Sequence, residues 1–113
     1  MPGGCVFCKI AGGEIQATVV KRGDGMLAFQ GGNPQAPTHV LVIPTHHVPT
    51  LNDAKDAALL GKLLGFARDV ARDAGLAQKG FRVVLNTNPD GGQTVFHLHL
   101  HVLGGRPMTW PPG

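Results

Sequence analysis

The sequence predicts an α+β fold, an antiparallel sheet of about five strands with one long helix and a short N-terminal helix. Three observations carry this expectation. Five short segments are rich in apolar and β-branched residues and are separated by turns of Gly, Pro, Asn and Asp. One long stretch repeats its apolar residues at three- and four-residue spacing. The segments do not alternate strand and helix, as a parallel doubly wound sheet requires, and no internal repeat is present. The chain, residues 1–113, is read as one domain with one core.

Taken in order, Cys5-Val6-Phe7-Cys8-Lys9-Ile10 opens a short helix that Gly12-Gly13 ends. Residues 18–22 and 26–30 read as antiparallel strands joined by a tight turn at Gly23-Asp24-Gly25. The segment Gly31 to Pro37 is a loop, because its two prolines lack ladder hydrogen bonds. Residues 38–43 form a nearly continuous apolar run, the mark of a central strand covered on both faces, with His39 its one polar interior side chain. Asn52 is a candidate cap for the long helix, whose stripe is Leu60, Leu63, Leu64, Ala67, Val70, Ala71 and Ala74 and whose end is Gly75. Residues 81–86 are a fourth strand, and Asn88-Pro89-Asp90-Gly91-Gly92 turns the chain into a fifth. The proline-rich tail from Arg106 to Gly113 is extended.

Composition narrows the function classes. Apolar residues are 42% and charged residues 15%, which suits a globular chain, and no apolar run approaches the ~20 residues of a membrane span. The N-terminus lacks the basic start and apolar core of a secretory signal, so a cytoplasmic location is expected. A net charge of +3 suits a small phosphorylated ligand, but Lys and Arg are scattered and form no stripe for nucleic acid. Neither a membrane nor a nucleic-acid partner is expected.

The chemistry concentrates in His97-Leu98-His99-Leu100-His101-Val102-Leu103. On a strand this alternation sets three imidazoles on one face and Leu98, Leu100 and Val102 on the other. The preceding Asp90-Gly91-Gly92-Gln93-Thr94 turn can offer backbone N–H groups to an anion, with Gln93 and Thr94 as further donors. Neutral imidazole is a nucleophile near pH 7, and phosphate beside histidine suggests covalent transfer. Cys5-x-x-Cys8 has the spacing of half a tetrahedral zinc site, and free thiols or a redox pair are the other readings.

The run 97–103 fits the histidine-triad pattern, His-apolar-His-apolar-His-apolar-apolar, throughout, and the chain resembles a histidine-triad (HIT) protein of the Hint, or purine nucleoside phosphoramidase, branch. The similarity extends over Gly13-Glu14-Ile15, Leu27-Ala28-Phe29, Pro34-Gln35-Ala36-Pro37-Thr38-His39, Leu41-Val42-Ile43-Pro44, Asp90-Gly91-Gly92-Gln93 and Val102-Leu103-Gly104-Gly105-Arg106. The ending Trp110-Pro111-Pro112-Gly113 points to the Hint branch. The resemblance implies a homodimer that binds purine nucleoside monophosphates and cleaves the P–N bond of purine nucleoside phosphoramidates of the AMP-amine or AMP-lysine type. An amine leaves phosphorus readily once protonated, which an imidazole-rich site favours.

Carried over, the resemblance makes His99 the nucleophile that forms a nucleotidyl-histidine. His101 and Thr94 would bind phosphate oxygens together with Gly92 and Gln93, and His39 and His97 would orient groups or relay protons. Asn86 would contact ribose or phosphate. Val6, Phe7, Ile10 and Phe29 would line the base pocket or belong to the core, and Trp110 would reach a partner's site or pack the dimer contact. The same resemblance pairs Cys5 and Cys8 with His47 and His97 around a structural zinc, His46 being the alternative to His47. No organic cofactor is expected. Two positions depart from the family pattern: Gln16 replaces a common proline, and Gly31 stands where an aspartate usually binds the ribose hydroxyls. The missing carboxylate leaves open an alternative, a purine-nucleotide-binding regulatory or scaffold module.

Overall fold

A computed structural model describes residues 4–113. The short helix α1 is Val6–Ala11 and the long helix α2 is Ala57–Asp73. Five strands, β1 (Val19–Gly23), β2 (Met26–Gln30), β3 (Thr38–Pro44), β4 (Phe81–Val84) and β5 (Leu100–Gly104), form one antiparallel sheet in the order β1-β2-β3-β5-β4. The α+β expectation is met. No helix among the described residues is long and apolar enough to cross a membrane.

The hairpin turn is built by two residues with positive φ, Asp24 at 54° and Gly25 at 77°, the backbone that matches the twist of paired strands. Strand β3 buries both faces, as its apolar run predicts. Val40 and Val42 join Ala28, Leu100, Val102 and the inner stripe of α2 on one side. Leu41 and Ile43 join Phe7, Leu27 and Phe29 beneath α1 on the other.

Helix α2 starts later than Asn52. Thr50 and Asp53 close a capping box on a single 3-10 turn at Leu51–Asp53, and Asp56 caps α2 itself by accepting from the Ala58 N–H at 3.0 Å. Asn52 donates its own N–H to Thr50 instead. The face that α2 buries is Leu63, Phe66, Ala67, Val70 and Ala71, so Leu64, at 57% exposure, and Ala74 fall outside it and Phe66 falls inside. Strand β4 also ends two residues before Asn86.

The histidine run is only half strand. Leu100 pairs with Val42, and Pro44, which has no N–H to donate, would oppose Leu98 in that register. The ladder stops there, and the Leu98 N–H turns to the Val48 carbonyl at 2.6 Å. The alternation survives nonetheless, with Leu98, Leu100 and Val102 all buried in the α2-side core.

Candidate functional site

Three backbone contacts and one contact between rings fix where each neutral triad imidazole carries its proton. A carbonyl only accepts, so a ring nitrogen beside one must donate. His99 Nδ1 lies 2.7 Å from the His97 carbonyl and therefore carries the hydrogen, which leaves Nε2 with a lone pair. His97 Nε2 donates to the Pro44 carbonyl at 2.8 Å, which leaves its Nδ1 as the acceptor. His39 accepts the Gln35 backbone N–H on Nδ1 at 3.0 Å, so its Nε2 donates to His101 Nδ1 at 2.9 Å. His101 must then present Nε2–H.

The rings are packed as well as bonded. His99 is 7% exposed, with its ring edge-on to Phe7 at 5.2 Å between centroids and 5.0 Å from His101. Phe7 also meets Phe29 at 5.4 Å and His97 at 5.9 Å, so it buttresses the triad from the α1 side.

Burial holds the four rings His39, His97, His99 and His101 below the usual histidine value, each disfavouring its cation. His101 is pushed down to about 4 by burial first and then by His99 and His39 beside it. A ring kept neutral when folded but free to protonate when unfolded makes the unfolded chain bind more protons in acid. The contribution of His101 is therefore complete above the unfolded value of 6.5 and is lost as pH falls toward about 4. The thermal midpoint should drop on acidification across this window, and His101→Gln should flatten the slope. An identical slope in the variant would contradict the assignment.

The turn before the triad is braced from within. Gln93, buried, accepts the Asn88 N–H on Oε1 at 2.9 Å and donates from Nε2 to the Pro49 and Val95 carbonyls at 2.9 and 3.1 Å. Its own N–H goes to the Asn88 carbonyl, and that of Gly92 goes to Pro89. The expected anion donors at Gly92 and Gln93 are thus engaged inside the turn. Gly92, at φ +84°, supplies the left-handed step that lets the turn close. Thr94 stands exposed at the turn's end, and Asn86 is half-buried behind it, its side-chain nitrogen 4.0 Å from where a Cβ on Gly92 would sit.

Cys5, Cys8, His47 and His97 bring one potential ligand atom each within 4.8 Å of one another. His97 Nδ1 lies 3.3 Å from Cys5 Sγ and 3.5 Å from Cys8 Sγ, and His47 Nδ1 lies 3.3 Å from Cys8 Sγ. Two sulfurs and two imidazoles are the donor set of a closed tetrahedral zinc site. The His97 Nε2–H bond to Pro44 is the outer bond that aims a ligand nitrogen inward. The residues fit a structural cation, and His47 rather than the exposed His46 completes the cluster.

The HIT domain family matches residues 12–108. The chain belongs to the HIT domain family. It is 44% identical over 105 residues to the purine nucleoside phosphoramidase of Escherichia coli strain K12, covering 91% of this chain and 88% of that protein. A HIT family hydrolase from Legionella pneumophila superposes with a TM-score of 0.93 at 54% identity, covering 96% of this chain and 99% of that one. A zinc-bound histidine triad family protein from Mycobacterium smegmatis superposes with a TM-score of 0.84 at 32% identity, covering 94% of this chain and 78% of that one.

In this HIT protein, Val6 is exposed and lines a cleft of about 480 Å³ with Cys5, His47, Thr94 and Phe96. Phe7 and Phe29 lie in the core cluster and Ile10 packs partly buried against it. Trp110 on the tail is 82% exposed. Sequence reasoning missed the Pro44 carbonyl, the Gln35 N–H and Phe96. The first two act through the backbone, which carries no side-chain signal, and Phe96 falls outside the motif.

Proposed function

We propose that this HIT protein hydrolyses the P–N bond of purine nucleoside phosphoramidates through a nucleotidyl-histidine. The observation that carries the reading is the His99 ring, whose Nε2 lone pair is freed by the Nδ1–H bond to the His97 carbonyl. Nε2 attacks phosphorus, the P–N bond breaks, and the amine takes up a proton and leaves. Water then attacks the same phosphorus, releasing the nucleoside monophosphate and returning His99 to its starting state. His101 Nε2–H and the Thr94 hydroxyl donate to the phosphate oxygens, where one well-aimed donor is worth about 3 kcal/mol. His39 orients His101, the His97 carbonyl orients His99, and Gln93 and Gly92 hold the turn that carries Thr94. Asn86 lies within reach of ribose or phosphate. Val6 and Ile10 contact the base, with Phe7 and Phe29 as the wall behind. The name of the Escherichia coli relative, purine nucleoside phosphoramidase, supports this substrate class.

When bound at Cys5, Cys8, His47 and His97, zinc supplies a structural crosslink between α1 and the segments on either side of the site, four protein ligands leaving no position for substrate. We further propose a cytoplasmic homodimer in which the exposed Trp110 packs the partner contact or reaches its site, checked by sedimentation. Hydrolysis of adenosine 5′-phosphoramidate tests the main reading, and nucleotide binding without turnover would favour the alternative, a regulatory or scaffold module.

Gly31 sets a selectivity prediction. Its N–H bonds the His39 carbonyl, and a Cβ added there would meet the His39 ring at 3.5 Å, an ordinary contact. Without a carboxylate to accept from the ribose hydroxyls, kcat/KM for ribo and deoxyribo substrates should differ little. Gly31→Asp should raise the preference for ribose by about 10-fold or more, the worth of a hydrogen bond to a charged group. A strong ribose preference in the unaltered protein would contradict the prediction.

A further inference from the structure

Outside the triad, the segment after β5 lies against the loop that precedes β3. Gly105 has φ +91°, and a Cβ there would fall 2.8 Å from the Pro37 Cβ, so only glycine allows this approach. The next residue, Arg106, places both Nε and Nη2 on the Gln35 carbonyl at 3.1 and 3.0 Å, while Nη1 donates to the Pro107 carbonyl at 3.0 Å. A guanidinium fork is planar and pre-organised, so two donors on one carbonyl fix that peptide's direction as well as its distance. Gln35 is the residue whose N–H sits on His39 Nδ1.

We propose that Arg106 is a positioning residue that clamps Gln35 and thereby sets the proton positions of the His39–His101 pair. The inference rests on the assignment of His101 as a phosphate ligand. Its logic is one of alternation, since each neutral imidazole carries a single ring proton. With the Gln35 N–H on His39 Nδ1, His39 must carry its proton on Nε2 and donate it to His101 Nδ1, so His101 faces the site with Nε2–H. Release of Gln35 lets both rings adopt the other tautomer. His101 would then turn a lone pair toward the phosphate oxygens, replacing a donor with a repulsive contact. The arginine acts from the surface, three residue contacts away from phosphorus, and touches neither substrate nor any triad ring.

The test is long-range 1H–15N NMR of the full-length protein labelled at histidine, beside the rate of adenosine 5′-phosphoramidate hydrolysis. The unaltered protein should show His39 and His101 both protonated on Nε2. Arg106→Met, which keeps the apolar stem and removes every donor, should give mixed tautomers at these two rings, broaden the proton shared between them and lower kcat about fivefold, the worth of one hydrogen bond. Arg106→Lys, with a donor still in reach of the Gln35 carbonyl, should restore most of both signals. His97 and His99 have their ring protons held in place by donation to the Pro44 and His97 carbonyls, so their unchanged signals report an intact fold. Should Arg106→Met not fold, Arg106→Gln gives the same comparison. Unchanged His39 and His101 signals in the variant overturn the proposal. A tautomer shift in a protein without turnover would uphold the clamp and refute the enzymatic reading instead.

Discussion

Replacement of His99 by alanine should lower phosphoramidate hydrolysis by on the order of a thousandfold or more, because removal of a nucleophile abolishes the covalent route and leaves only binding and electrostatic stabilisation. Affinity for the nucleoside monophosphate should change far less, since Thr94 and His101 remain. The geometry explains why the middle ring is singled out. His97 has its Nε2 on Pro44 and its Nδ1 among two sulfurs, and His101 has its Nδ1 on His39. Only His99 keeps an unshared ring nitrogen of nucleophilic character. Steady-state rates of the His99→Ala protein, with binding measured in parallel by calorimetry, check this. Turnover within tenfold of the unaltered protein would refute it.

Loss of the metal should be the largest stability effect. Cys5 and Cys8 open the chain at α1, whereas His47 follows β3 and His97 precedes β5, so one ion would tie three distant segments together. Binding energy at a site that exists only in the folded chain adds to folding stability. Cys8→Ser, or exhaustive chelation, should release one equivalent of zinc and lower Tm by on the order of 10 °C. His97 would supply a ligand nitrogen, and its carbonyl holds His99, so activity should fall with the metal. Protein prepared without chelator or affinity resin, found substoichiometric in zinc and equally stable in its absence, would count against the site.

The parts legible in the sequence are those with a local physical signal. The Asp24-Gly25 turn and the unbroken apolar run of β3 each announce themselves in a few residues, and both are where the residues put them. The start of α2 did not, because Thr50, Asn52 and Asp56 are all competent caps, and the chain uses Thr50 for a separate 3-10 turn and Asp56 for α2. Three- and four-residue spacing admits both Leu64 and Phe66 beside Leu63, Ala67 and Val70, and the sheet buries Phe66. In the site, the His/apolar alternation foretold which residues face the core, but not that Pro44 would end the ladder before His99. Proton positions were beyond reach altogether. They depend on the Pro44 and His97 carbonyls and the Gln35 N–H, groups that every residue of the chain possesses.

The most direct measurement is peptide mapping by mass spectrometry after rapid quenching of the protein with adenosine 5′-phosphoramidate. The account predicts one nucleotidyl group, carried on the peptide that spans the triad and localised to His99, forming and decaying at rates compatible with turnover. A nucleotidyl group on any other residue, or turnover with none on the protein at any time, would contradict it.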